Sequence, residues 1–300
     1  MKAENKVLKF SAIGGLFFAI LGIAWGWALN SEMIKFDGLY SLISLGLAIF
    51  SIIVTNFINK NDFENYPFGK YIVEPLLVIF KSIILLMTCS YSMISSVKEI
   101  INGGNLVNEE AALTYSLISS LGCILVYLYM KKESKSLNSE IVNIESKQWL
   151  MDTILSVGVL IGFVVGIIFK FIGLTMLSNY IDPIMVLLSS LIFLRMPIES
   201  ILSSLREITN SSIDEDINID INKLIKEIER DYNIDDTVIR VAKVGRQLRI
   251  EIDFIVSDTS KVKSIEDMDK VREIIDKNTN HFDLKKWLNI SFTKNKKWAI

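Results

Sequence analysis

Long apolar runs separated by short polar breaks fill the first two thirds of the chain. A bilayer-spanning helix needs roughly 20 mainly apolar residues. Six runs reach that length, at about 10–29, 35–59, 72–97, 112–131, 143–170 and 174–200. The fifth is apolar only from Ile154 onward, its first turns being polar, and the sixth carries Asp182, Pro183, Arg195 and Pro197. After residue 207 the pattern changes. In INIDINKLIKEIERDY (217–232), Ile217, Ile221, Leu224, Ile225 and Ile228 recur at helical spacing. VIRVAKV and LRIEIDFIV then alternate as half-buried strands do, joined through Gly245. Ser264 begins SIED, with Asp267 three positions on, a capping-box pattern that opens a second helix through Met268, Val271, Ile274 and Ile275. WLNISFT reads as a last strand. The pattern predicts a membrane all-α domain of six transmembrane helices, residues 1–207, followed by a small α/β domain of order αββαβ, residues 208–300. So small a domain has a limited core and gains stability by pairing with a copy of itself.

Composition sharpens this division. Half the chain is hydrophobic and the mean hydropathy is +0.40, high for a soluble protein. Residues 212–300 carry 17 Lys or Arg and 18 Asp or Glu, more than half of the 32 and 34 in the whole chain, so an apolar body is joined to a solvated tail. Among the short connections, one side holds Lys2, Lys6, Lys9, Lys60, Lys70, Lys131, Lys132, Lys135 and Lys147, the other only Lys35, Lys98 and Lys170. Cytoplasmic loops carry the excess of basic residues, which predicts both termini in the cytoplasm and an integral protein of the cell membrane. The segment MKAENKVLKF leads into an apolar run with no small-residue cleavage site after it, so that run is read as a membrane helix and not as a removed leader.

Several classes are excluded. The net charge of −2 and the lack of a basic face argue against a nucleic-acid partner. Cys89 and Cys123 lie in apolar runs and read as buried thiols. With no nucleophile–base pair, phosphate loop or zinc-peptidase motif, the chain is not read as an enzyme, and no resident cofactor is expected. The single histidine, His281, lies in the tail, which rules out a histidine-built zinc site or a histidine proton carrier within the membrane.

Four segments resemble the cation diffusion facilitator family: FDGLYSLISLGLAIFS on the second helix, NYPFGKYIVEPL after it, MDTILSVGVLIG on the fifth helix, and Asp182-Pro183 early in the sixth. The tail has the family's order of strands and helices, so the resemblance covers nearly the whole chain. It implies a homodimer, joined through the C-terminal domain, that exports a divalent cation from the cytoplasm in exchange for protons. It also implies a transport site built from two ligand pairs, each at i and i+4, on the second and fifth helices. Residues four apart share one helix face, so two facing helices can surround one ion.

Laid on the family pattern, the second-helix pair falls at Tyr40 and Ser44 and the fifth-helix pair at Gln148 and Asp152. The family usually has His or Asp there, and only Asp152 remains a carboxylate. Neutral oxygens from Tyr, Ser and Gln suit a hard cation, manganese before zinc, and bind it weakly. Asp37 lies on the same face as Tyr40 and Ser44 and either adds a second carboxylate about one turn outward or caps the helix. Lys81, within the third helix, either pairs with Asp37, Asp152 or Asp182, standing where an ion would, or snorkels. Asp182 reads as structural, and Asp62 with Glu64 as part of a solvated loop. In the tail Asp253, His281 and Asp283 form no evident ligand cluster. Two functions remain: a proton-coupled cation exporter with an oxygen-only site, or a non-transporting relative acting as a dimeric regulatory or binding subunit.

Overall fold

The structure is a computed structural model that describes residues 2–60, 62, 64–137, 140–211, 215–282 and 284–299. Its elements are α1 (Lys2–Leu29), α2 (Glu32–Asn59), α3 (Val73–Ile101), α4 (Glu109–Leu137), α5 (Glu140–Phe171), the single turn α6 (Thr175–Ser178), α7 (Ile181–Ile208), α8 (Glu215–Tyr232), β1 (Asp236–Val244), β2 (Gln247–Ile255), α9 (Ile265–Asn278) and β3 (Lys285–Thr293). Six spans are long and apolar enough to cross a bilayer: Lys6–Leu29, Glu32–Asn59, Val73–Ile101, Glu109–Leu137, Glu145–Phe171 and Thr175–Ile208. The chain is an integral membrane protein with six membrane helices and a small α/β tail, as the hydrophobic pattern predicts.

Helix ends differ from the expectation for physical reasons. The sixth run, expected as one helix, breaks into α6 and α7. Asp182 and Pro183 fall in the first turn of α7, where proline's missing N–H costs nothing. Helices α4 and α7 continue past their apolar segments through polar turns, because backbone hydrogen bonding does not stop at the bilayer edge. Helix α2 begins at Glu32, three residues before the expected start. Its first amides have a partner that hydropathy does not reveal. The buried Asp182 carboxylate accepts from the Ser31 hydroxyl at 2.5 Å, the Glu32 amide at 2.8 Å and the Met33 amide at 3.3 Å. Ser31 in turn accepts from the Ile34 amide at 3.2 Å, and Asn105 donates to Asp182 at 3.3 Å. A carboxylate at a helix N-terminus satisfies orphan amides and opposes the positive end of the helix dipole.

The chain forms two compact units. The first comprises Met1–Ile52 and Lys81–Glu199. Its core gathers Met33, Ile34 and Phe36 of α2, Cys89 of α3, Ala112 and Tyr115 of α4, Val159 and Phe163 of α5 and Val186 of α7. Helices α1 and α2 cross at glycines. A Cβ on Gly22 would lie 3.0 Å from Gly38 Cα, one on Gly38 only 2.5 Å from the Ile23 amide nitrogen, and one on Gly26 2.6 Å from the Lys35 amide nitrogen. Gly22 and Gly26 are four apart, so both small faces meet α2 on one side of α1, the usual way for membrane helices to approach closely.

The second unit comprises Ile53–Phe80 and Ser200–Ile300. Its sheet has the order β1-β2-β3, with β1 and β2 antiparallel and β2 and β3 parallel. Helix α9 makes the crossover that parallel strands require. Central β2 buries Leu248, Ile250, Ile252 and Phe254 against Ile221, Ile225 and Ile228 of α8 and Val271 and Ile275 of α9. The expected capping box is formed, the Ser264 hydroxyl and the Asp267 side chain each accepting a backbone amide of the other residue. The tight β1–β2 turn turns on Gly245, whose φ is +58°. Glu207, near the end of α7, accepts from the Gly245 amide at 2.9 Å, and Glu74, in the first turn of α3, accepts from the Arg246 side chain at 2.9 Å.

Candidate functional site

Within the first unit, α1, α2, α4 and α5 enclose a cavity of about 220 Å³. All five residues expected to surround a cation line it: Asp37, Tyr40 and Ser44 from α2, and Gln148 and Asp152 from α5. The i, i+4 spacing within each pair puts both members on one face, and the two faces meet. Since α3 and α4 lie between them, α2 and α5 cross in opposite directions. Asp37 therefore stands toward one end of the lining and Glu145, seven residues before Asp152, toward the other.

Three carboxylates share this wall, and they differ in their partners. The Tyr115 hydroxyl donates to Asp37 at 3.3 Å. The Ser11 hydroxyl donates to Glu145 at 2.6 Å while accepting from the Trp149 indole N–H at 2.7 Å. Asp152 has no hydrogen-bond or ion-pair partner among the described residues. Tyr40 is fixed by stacking on Phe193, with centroids 4.5 Å apart. Ser119 and Ser156, with hydroxyls 3.4 Å apart, and Cys123 complete a small polar floor. A carboxylate in a membrane span is tolerated where it faces a polar cavity, and here three of them concentrate negative potential on one space. Among the described residues no three His, Cys, Asp or Glu side chains come close enough to ligate one ion together. Around Asp152 the lining offers the hydroxyls of Tyr40 and Ser44 and the Gln148 amide.

Other expected residues take definite places. Asp37 does not cap α2, since Ser31 and Asp182 fill that role. Asp182 lies outside the cavity lining and is structural. Lys81 pairs with none of Asp37, Asp152 and Asp182 among the described residues; its ammonium donates to the Ser51 hydroxyl at 3.0 Å. Asp62 is held below the ordinary carboxylate range, first by Asn65 and then by Lys70, as in a solvated loop. In the tail Asp253 pairs with Arg240 at 2.7 Å and accepts from Ser291, His281 is exposed, and Asp283 lies outside the described residues. Glu145, Ser11 and Trp149 were not expected at the site. Glu145 is three residues before Gln148 and seven before Asp152, so the helical period marks it, but its polar turn read as membrane boundary.

Residues 8–209 match the cation efflux transmembrane domain. Over 214 residues, 71% of each chain, the sequence is 24% identical to the manganese efflux system protein MneP of Bacillus subtilis. Over 274 residues, 90% of this chain and 92% of the relative, it is 22% identical to an uncharacterised transporter of Methanocaldococcus jannaschii. With six membrane helices and a matching domain over two thirds of its length, the chain belongs to the cation efflux family, the cation diffusion facilitators.

Proposed function

We propose that this protein exports a divalent cation from the cytoplasm in exchange for protons, through an oxygen-only site centred on Asp152. The observation that carries the reading is the Asp152 carboxylate, facing a polar cavity between α2 and α5 with no partner among the described residues. An unpaired carboxylate at that depth is costly unless a cation or a proton occupies it in turn, which is the alternation an antiporter needs. No histidine stands in the membrane body, so Asp152 itself exchanges the proton. Tyr40, Ser44 and Gln148 supply neutral oxygens, and Asp37 and Glu145 supply charge from the two ends of the cavity. Such donors favour manganese over zinc, and the name of the Bacillus subtilis relative, a manganese efflux protein, agrees. The lysine-rich connections face the cytoplasm, placing both termini there, and the tail, residues 208–300, joins two copies as a homodimer.

The second reading, a regulatory or binding subunit that does not transport, is favoured by the absence of a three-ligand cluster among the described residues. Lys81, by bonding to Ser51, does not stand in for the ion at Asp152, which weighs against that reading. The test is metal-driven proton flux in proteoliposomes, screened over Mn, Zn, Fe, Co, Mg and Ca. Flux with manganese that disappears in Asp152→Asn supports transport. Undiminished flux in that variant places the ion path elsewhere, and no flux for any metal with the parent protein selects the second reading.

A further inference from the structure

Away from the cavity, the second unit contains a pocket of about 170 Å³ between the loop joining α2 to α3 and the start of β3. We propose that this pocket holds the phosphate headgroup of an anionic phospholipid. Its floor is Lys70, only 4% exposed, with its ammonium 4.3 Å from the Phe57 ring centroid, 4.7 Å from that of Tyr66 and 3.6 Å from Asp62. Its rim carries Lys60, at the end of α2, and Lys285, at the start of β3, both exposed. No ion pair among the described residues engages either; the Lys285 ammonium lies 5.6 Å from the Tyr71 ring centroid. Lys286 also lines the pocket, but its ammonium is taken by Asp276 at 2.6 Å. Against these lysines the lining offers one carboxylate, Asp62, already shared with Asn65 and Lys70. On a chain of net charge −2, this is a local excess of unneutralised positive charge.

Three features point to a lipid and not to a soluble anion. The pocket lies between the end of one membrane span, Glu32–Asn59, and the start of the next, Val73–Ile101, so it sits at the bilayer boundary whichever side the loop faces. Phe68, 67% exposed, and Trp287 lie 5.8 Å apart at its edge, where aromatic rings anchor at the headgroup level. The volume falls below the roughly 300 Å³ of typical small-molecule sites but accommodates a phosphate whose acyl chains stay in the bilayer. Basic pockets beside membrane helices recognise headgroups this way. One wall comes from the α2–α3 segment and the other from the tail sheet, so a bound headgroup would bridge the two stretches of the second unit.

The test uses the full chain in nanodiscs of phosphatidylcholine with and without phosphatidylglycerol, with retained lipid counted by native mass spectrometry. The parent should retain phosphatidylglycerol in preference to phosphatidylcholine. Each lysine near an anionic surface is worth about a fivefold preference, so Lys60→Gln/Lys285→Gln should reduce it by about 30-fold. The charge-matched Lys294→Gln/Lys296→Gln, whose lysines pair with Asp258 and Asp236 and do not line the pocket, should retain it. Lack of preference in the parent, unchanged preference in the first variant, or equal loss in the second overturns the proposal. Displacement of the lipid by inorganic phosphate assigns the pocket to a soluble anion and overturns it equally.

Discussion

Replacing Asp152 with Asn removes one negative charge and leaves the side chain's shape nearly unchanged. Cation-dependent flux should fall to background while the protein still elutes as folded, because the carboxylate supports nothing structural among the described residues. Asp37→Asn, where the group already has the Tyr115 hydroxyl, should have a smaller effect. Glu145→Gln should raise the half-saturating cation concentration about tenfold with maximal flux largely kept, as expected of a supporting carboxylate beside the site. Concentration-dependent flux for the three variants separates these outcomes. The residues lining the cavity were partly readable beforehand. Tyr40, Ser44, Gln148 and Asp152 stand where the i, i+4 pairs of two facing helices must stand. Glu145 and the Ser11–Trp149 support were not, because a polar turn at a helix start is ambiguous until the packing of α1 against α5 is known.

At the level of elements, the close α1–α2 crossing constrains where α2 carries its cavity-lining face. Gly38→Ala would drive a methyl group against the backbone of α1, which cannot swing aside, and should cost about 1–3 kcal/mol. Gly46→Ala, on the same helix with open space around it, should be neutral or slightly stabilising. Thermal unfolding in detergent compares the two. In the tail, Ser264→Ala should weaken the first turn of α9 by about 1 kcal/mol, measured as amide exchange in the full chain. Asp267 carries a pH signature. Its carboxyl is held below the ordinary 3.8, first by the Ser264 hydroxyl and then by backbone amides. A depressed folded-state value means its contribution is complete above the ordinary value and is lost as pH falls through the depressed one. The exchange difference between Asp267→Asn and the parent should therefore be present at neutral pH and vanish on acidification. Periodicity located nearly every element, since amphipathic α8, alternating β1 and β2 and the Ser264 cap each leave a local trace. The start of α2 left none, because it depends on Asp182, a residue far along the chain.

For the whole molecule, sidedness and assembly decide whether the proposed export can operate. With Cys89 and Cys123 replaced, single cysteines at Lys6 and Asn295 should react with impermeant reagents only from the cytoplasmic face; labelling of either from outside would reverse the direction of transport. The full chain should run as a dimer without added metal, since among the described residues the tail groups no metal ligands that could join two copies. Sedimentation at micromolar concentration, in detergent and with chelator, checks this. Both expectations rest on the sequence, sidedness on the lysine asymmetry of the short connections and assembly on the tail's small core.

The carboxylate that caps α2 arrives late. Ser31 and Asp182 are separated by 151 positions, so the start of α2 is synthesised and inserted well before its acceptor exists. At ordinary rates of translation that interval is on the order of ten seconds. During it the first turn of α2 has, besides the Ser31 hydroxyl, only water, lipid headgroups or insertion machinery to satisfy its amides, while the cavity-lining turns that follow wait for their register to be set. The cavity face is therefore finished by the last membrane segment to emerge, and a ribosome that stalls before residue 182 leaves a nascent helix whose cavity-facing side is still undecided.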